Sequence, residues 1–118
     1  MARISFRIVF GESVAIGPGK IELLERIAAE GSISAAGREM QMSYRRAWTL
    51  VDELNGTFSR PLVAKRPGGR NGGGAVLTPL GRAVIRDYRA LETIVRERGG
   101  RHVASLERAA RKRPAKRR

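Results

Sequence analysis

The segment from Ser32 to Phe58, SISAAGREMQMSYRRAWTLVDELNGTF, constrains the fold more than any other part of this chain. Ser32 or Ser34 can cap a short helix running to about Met40, and Ser43 can cap a second that ends between Asn55 and Phe58. In the second helix Tyr44, Ala47, Trp48, Val51, Leu54 and Phe58 recur at helical spacing and are expected to face a core. Arg45, Arg46, Thr49 and Glu53 then lie on the opposite side. Two short amphipathic helices joined by a tight turn, the second opening on Ser43-Tyr44-Arg45-Arg46, form the pattern of a helix-turn-helix.

The flanks extend this pattern into a complete small domain. Ile4, Phe6, Ile8 and Phe10 alternate with Ser5, Arg7 and Val9, as in a half-buried strand, and Glu12 to Ile16 can extend it or pair with it. After Gly17 a helix is expected from about Pro18 to Glu30, with Ile21, Leu24, Ile27 and Ala28 as its apolar stripe and Gly31 as its stop. Beyond the second helix of the motif, Leu62 to Lys65 and Ala75 to Leu77 read as two short strands around the glycine-rich loop 67–74. Thr78-Pro79 then begins a helix with the stripe Leu80, Val84, Asp87/Tyr88, Leu91 and Ile94/Val95. That helix is expected to end near Arg98, closed by Gly99-Gly100. The fold class is mainly α with a small β component: a winged helix-turn-helix with an N-terminal strand and a C-terminal dimerisation helix. Residues 1–98 form the domain, and residues 99–118 form a basic tail expected to be disordered.

Charge narrows the partners. The chain of 118 residues has a net charge of +13, which suits nucleic acid or an anionic membrane surface. Residues 99–118 alone carry eight of the 24 Lys and Arg and one of the 11 acids, so the tail supplies much of the excess. There is no cysteine, which excludes disulfides, thiolate metal sites and cysteine nucleophiles. No apolar run is long enough to span a bilayer and no signal peptide is present, so a soluble, cytoplasmic, nucleoid-associated protein is expected. The acids are scattered over helix surfaces, and His102, the single histidine, has no ligand partners nearby. Neither a catalytic constellation nor a metal site is expected, and no cofactor is implied.

The segment GSISAAGREMQMSYRRAW, followed by AVLTPLGR, resembles the DNA-binding half of the ModE family of molybdate-responsive transcription regulators, itself similar to the winged helix of LysR-type regulators. The resemblance covers roughly residues 4–92. It implies sequence-specific binding to double-stranded DNA and regulation of transcription. In that family a separate C-terminal domain binds the oxyanion, and no such domain is expected after Arg98; the chain looks like a stand-alone DNA-binding domain, with an effector supplied by a separate protein as one possibility. The resemblance also implies a homodimer paired through Ile4, Phe6, Ile8, Leu80, Val84, Tyr88, Leu91 and Val95. Two departures stand out. Gln41 occupies the turn where the family usually has glycine, and Gly37 stands where alanine is usual, at about 0.5–1 kcal/mol in helix propensity.

The DNA-contact candidates are Ser32, Ser34, Ser43, Tyr44, Arg45, Arg46 and Thr49 in the motif and Lys65, Arg66, Arg70 and Asn71 on or beside the wing. An arginine at the N-terminal end of a recognition helix can pair bidentately with guanine O6 and N7 or bind phosphate, and either Arg45 or Arg46 could do so. Tyr44 suits either a core edge or a phosphate contact, whereas Trp48 is expected in the core. A wing loop rich in glycine lets backbone amides approach phosphate closely. It is not a nucleotide-binding loop, because Gly72-Gly73-Gly74 leads into Ala75-Val76 and not into Gly-Lys-Ser/Thr on a helix. The alternative function is an architectural protein that coats duplex with little sequence preference, which the basic tail favours. RNA binding lacks the aromatic platform it would need.

Overall fold

A computed structural model describes residues 2–66 and 74–111. Their elements run β1 (Ile8–Phe10), β2 (Val14–Ile16), α1 (Pro18–Glu30), α2 (Ile33–Glu39), α3 (Tyr44–Thr57), β3 (Val63–Arg66), β4 (Gly74–Leu77) and α4 (Pro79–Ala109). Both strand pairs are antiparallel, with Ile8 opposite Ile16 in one and Val63 opposite Leu77 in the other. This is the expected class, mainly helical with a small β component.

Local chemistry explains most of the element boundaries. Pro18 sits in the first turn of α1, and Gly31 ends that helix at φ 72°, its N–H donating to the Ile27 carbonyl at 2.8 Å. Ser32, Ser43 and Thr78 each cap a helix, their hydroxyls accepting from the N–H of Ala35, Arg46 and Gly81 at 3.0 Å. The core gathers Ile16, Ile21, Leu23, Leu24, Ile27, Leu54, Leu62 and Tyr88 with smaller residues of α2, α3 and the second sheet. Helix α1 lies at its centre, touching α2, α3, α4, β2 and β4. Its buried stripe is consequently wider than the sequence indicates: Leu23 is enclosed, and Ala28 is exposed.

The turn of the motif bears out both departures noted in the sequence. Gln41 has φ 59°, a left-handed conformation that no other non-glycine residue adopts among those described. Gly37, which costs helix propensity, allows close packing: a Cβ there would lie 2.9 Å from the Cβ of Ala47. Its carbonyl also accepts from Met42 N at 2.9 Å, closing the turn.

Three expectations are corrected. First, the N-terminal strand is short. It pairs only over Ile8–Phe10 because β2 ends at Ile16, where Gly17 and Pro18 turn the chain into α1. Residues 2–7 instead lie along α4: the Tyr88 hydroxyl donates to the Phe6 carbonyl at 2.8 Å, with the two rings 5.0 Å apart. Second, α4 does not stop at Arg98. It continues through Gly99-Gly100 to Ala109, so the expected domain boundary falls inside a helix and residues 101–109 are helical. The N-terminal segment accompanies that extension, with Ala2 N donating to Glu107 Oε2 at 3.0 Å and Ile4 lying close to Gly99. These contacts offset the poor helix propensity of two glycines. Residues 112–118 of the tail lie outside the described residues. Third, Tyr44 does not face the core and is 64% exposed, because the first turn of α3 overhangs the packed layer.

Candidate nucleic-acid interface

The first two turns of α3 form a cationic, unpaired surface. Ala47, Leu50, Val51 and Leu54 hold the helix in the core, and this burial turns Arg45, Arg46 and Thr49 outward. Neither arginine makes an ion pair among the described residues, and the first turn contains no acid. Cations at a helix N-terminus oppose the macrodipole, at about 0.3–1 kcal/mol each. The acids of this helix, Asp52 and Glu53, lie further along it, and Glu53 is paired with Lys20 at 3.3 Å. The helix is therefore polarised against its own stability, with positive charge where its exposed N–H groups already carry a positive field.

Two of the candidate serines also cap helices. The hydroxyls of Ser32 and Ser43 accept from N–H groups of their own helices, and each retains an O–H that can donate to a partner. Ser34 is half-buried in α2. Tyr44 stands clear of the protein, its ring edge-on to Trp48 at 6.1 Å between centroids.

The wing begins beside this surface. Lys65 and Arg66 are exposed on β3, opposite Ala75 and Gly74. The Lys65 ammonium lies 5.7 Å from the centroid of the Trp48 ring. Arg70 and Asn71, also expected to contact DNA, lie outside the described residues, as does the glycine-rich loop 67–73.

Two fastenings that the sequence did not announce set the position of the wing. Asn55 on α3 accepts from the N–H of Leu62 and Val63 at 2.8 and 3.1 Å and donates to the Val63 carbonyl at 3.1 Å. At the other strand, Ala75 N donates to the Gly31 carbonyl at 2.9 Å, tying β4 to the junction of α1 and α2. Thr78 adds a third link, its hydroxyl donating to the Pro61 carbonyl at 2.8 Å. An asparagine eight residues ahead of the strand it binds was the one available signal, and it reads equally well as a solvated helix residue.

The expected dimerisation set divides. Val84 and Tyr88 are buried in the core of the chain itself, and Phe6, Ile8 and Leu80 are packed partly against it. Helical spacing cannot separate burial within a subunit from burial between subunits. Leu91 is exposed, joined by Ile94 and Leu106, which the sequence reading left out of the set. Ile4 lines a cavity of about 510 Å³ between the N-terminal segment and the far half of α4, and Val95 is half-buried. Arg89 anchors this helix to α1 by a two-bond pair with Glu25, at 2.7 and 3.0 Å, and meets Glu92 at 2.7 Å. Those hydrogen bonds, with Glu25 first, raise the pKa of its guanidinium further above the ordinary arginine value.

Among the described residues no helix is long and apolar enough to cross a membrane. Comparison with known proteins agrees with the geometry. The bacterial regulatory helix-turn-helix family of the lysR type matches residues 19–82, from the start of α1 into the start of α4. The molybdenum-pterin-binding protein MopB of Rhodobacter capsulatus is 47% identical over 77 residues, 65% of this chain and 28% of that protein. The molybdenum transport protein ModE of Azotobacter vinelandii is 42% identical over 92 residues, 78% of this chain and 33% of its own length. The DNA-binding transcriptional dual regulator ModE of Escherichia coli is 37% identical over 93 residues, covering 79% of this chain and 36% of that regulator. The chain thus spans about a third of the length of these relatives. Two capped helices around a strained turn, a polarised α3 and a matching family place the chain among the lysR-type bacterial regulatory helix-turn-helix proteins.

Proposed function

We propose that this chain binds duplex DNA at specific sites, inserting the N-terminal end of α3 into the major groove. The observation that carries the reading is the pair Arg45 and Arg46: exposed, without ion-pair partners among the described residues, and set against the dipole of their own helix. Groups that lower stability where they stand are well explained by a partner that arrives from outside. Tyr44 and Thr49 flank them on the same open surface. Lys65 and Arg66 reach the backbone or adjacent minor groove from the wing, and Arg70 and Asn71, which follow them in sequence, add to the same contact. Residues 108–118 add sequence-independent attraction to phosphate.

The outward face of α4 at Leu91, with the N-terminal segment, supports pairing of two chains. A two-fold dimer would read half-sites about 34 Å apart, one turn of duplex. Sedimentation checks this directly, and a monomer at micromolar concentration would refute it. Regulation by a separate effector protein is tested by pull-down from lysate with and without molybdate; the absence of both a partner and a molybdate effect would count against it.

Selection of bound sequences from random duplex, followed by competition at moderate salt, tests the main reading. A recurring site that outcompetes random duplex by at least a thousand-fold is the expected result, on the scale typical of specific regulators. Equal affinity for both would favour the architectural reading instead.

A further inference from the structure

Trp48 is an odd choice for its position. The indole is partly buried against the core, yet its Nε1–H is enclosed and has no hydrogen-bond partner among the described residues. A phenylalanine would fill much of the same space without an unsatisfied donor. What tryptophan adds is a larger and more electron-rich face, and the Lys65 ammonium lies 5.7 Å from its centroid. Tyr44, one turn earlier, meets the same indole edge-on.

The placement matters because Asn55 fastens the wing only at its base, at Leu62 and Val63. Lys65 lies two residues further toward the tip, on the exposed part of β3. A contact between Trp48 and Lys65 is therefore a second point of attachment between α3 and the wing. An ammonium beside a ring keeps N–H donors free for another acceptor.

We propose that Trp48 is a positioning residue: it holds Lys65 beside the first turn of α3, so that the wing lysine and the recognition helix engage phosphate and bases of one duplex face together. The inference rests on the DNA-binding reading above and specifies how the wing is aimed. Trp48 itself touches no base; it acts through Lys65.

A double-mutant cycle in the full chain tests this, using the selected duplex and a salt titration. Trp48→Phe should keep the thermal midpoint within a few degrees of the parent while weakening binding about three-fold, the scale of a surface cation–π contact. Lys65→Ala should lower the slope of log affinity against log salt by about 0.9, one phosphate contact. In the Lys65→Ala background, Trp48→Phe should have no further effect on binding. Because Trp48 is the chain's single tryptophan, Lys65→Ala should also shift its emission in the free protein. Multiplying losses, parental affinity in Trp48→Phe, or an unchanged emission spectrum would overturn the proposal while leaving DNA binding intact. Failure of the parent chain to bind any duplex would overturn the DNA-binding reading and this inference with it.

Discussion

The arginines of α3 and those that brace α1 are the same chemical group in opposite situations. Arg26 is held by Glu22 and Glu39 at 3.0 and 3.1 Å, and Arg89 by Glu25 and Glu92. Among the described residues Arg45 and Arg46 have no such partners, and they stand where the helix dipole disfavours them. A net charge of +13 describes all of them equally and therefore says little about which ones act. The difference lies in pairing: Arg26 and Arg89 are satisfied by carboxylates of the chain, and Arg45 and Arg46 of the candidate interface are left open among the described residues.

The largest effect that could break this contrast is on binding. Replacing Arg45 and Arg46 together by Ala should reduce affinity for the selected duplex by a factor of about 100, taking about 1–3 kcal/mol for each arginine's contacts. The thermal midpoint should stay level or rise slightly as the dipole conflict is removed. Filter binding and thermal melting check the two halves; a fall in both would mean that these residues are structural.

Asn55→Ala should cost about 2 kcal/mol in urea denaturation, since two backbone N–H groups at the base of the wing lose their acceptor. A loss below about 0.5 kcal/mol would show that the wing is held elsewhere. Gly37→Ala should destabilise by about 1 kcal/mol. Its gain in helix propensity is outweighed by contact with Ala47, which packing at 2.9 Å cannot absorb without a shift of α2 against α3. A stabilised variant would mean that the two helices part easily.

Arg89→Ala should cost no more than about 1 kcal/mol, because its ion pairs are about 40% exposed. It should leave duplex affinity within two-fold of the parent, the converse of the α3 arginines. The smallest effect is in alkali. Burial pushes the ionisation of Tyr88 above its usual 10.0, Glu92 adds to the rise and Arg89 opposes it. Stability from this group is full below pH 10 and is lost as pH rises toward the folded value, because the unfolded tyrosine ionises first. Tyr88→Phe should flatten that decline in denaturation midpoints measured from pH 9 to 11.

Much of the fold was legible because its signals are local. Serine and threonine caps, Pro18, Gly31 and the apolar spacing of α3 act within a few residues, and each element they announce is present. Misreadings arose where distant chain decided the outcome. Gly99-Gly100 looks like a stop until Ile4 and Ala2 are seen alongside α4. Helical spacing alone does not reveal that Tyr88 packs against Phe6 of the N-terminal segment. Tyr44 shares a helical face with Trp48, yet it sits one turn beyond the layer that would cover it. Within the candidate interface, the outward placement of Arg45 and Arg46 could be read from their place in the motif. Asn55 and the contact of Trp48 with Lys65 could not, since both depend on where the wing returns to α3.

The central claim, that α3 reads bases while the paired arginines only brace the scaffold, is tested most directly by base-resolved affinities. Arg45→Ala, Arg46→Ala and Arg89→Ala would each be titrated against the selected site and its single-base variants. The account predicts that at least one α3 substitution relaxes discrimination about 10-fold or more at one base pair, while Arg89→Ala leaves every position unchanged. Uniform weakening by the α3 variants across all sites and random duplex alike would contradict it.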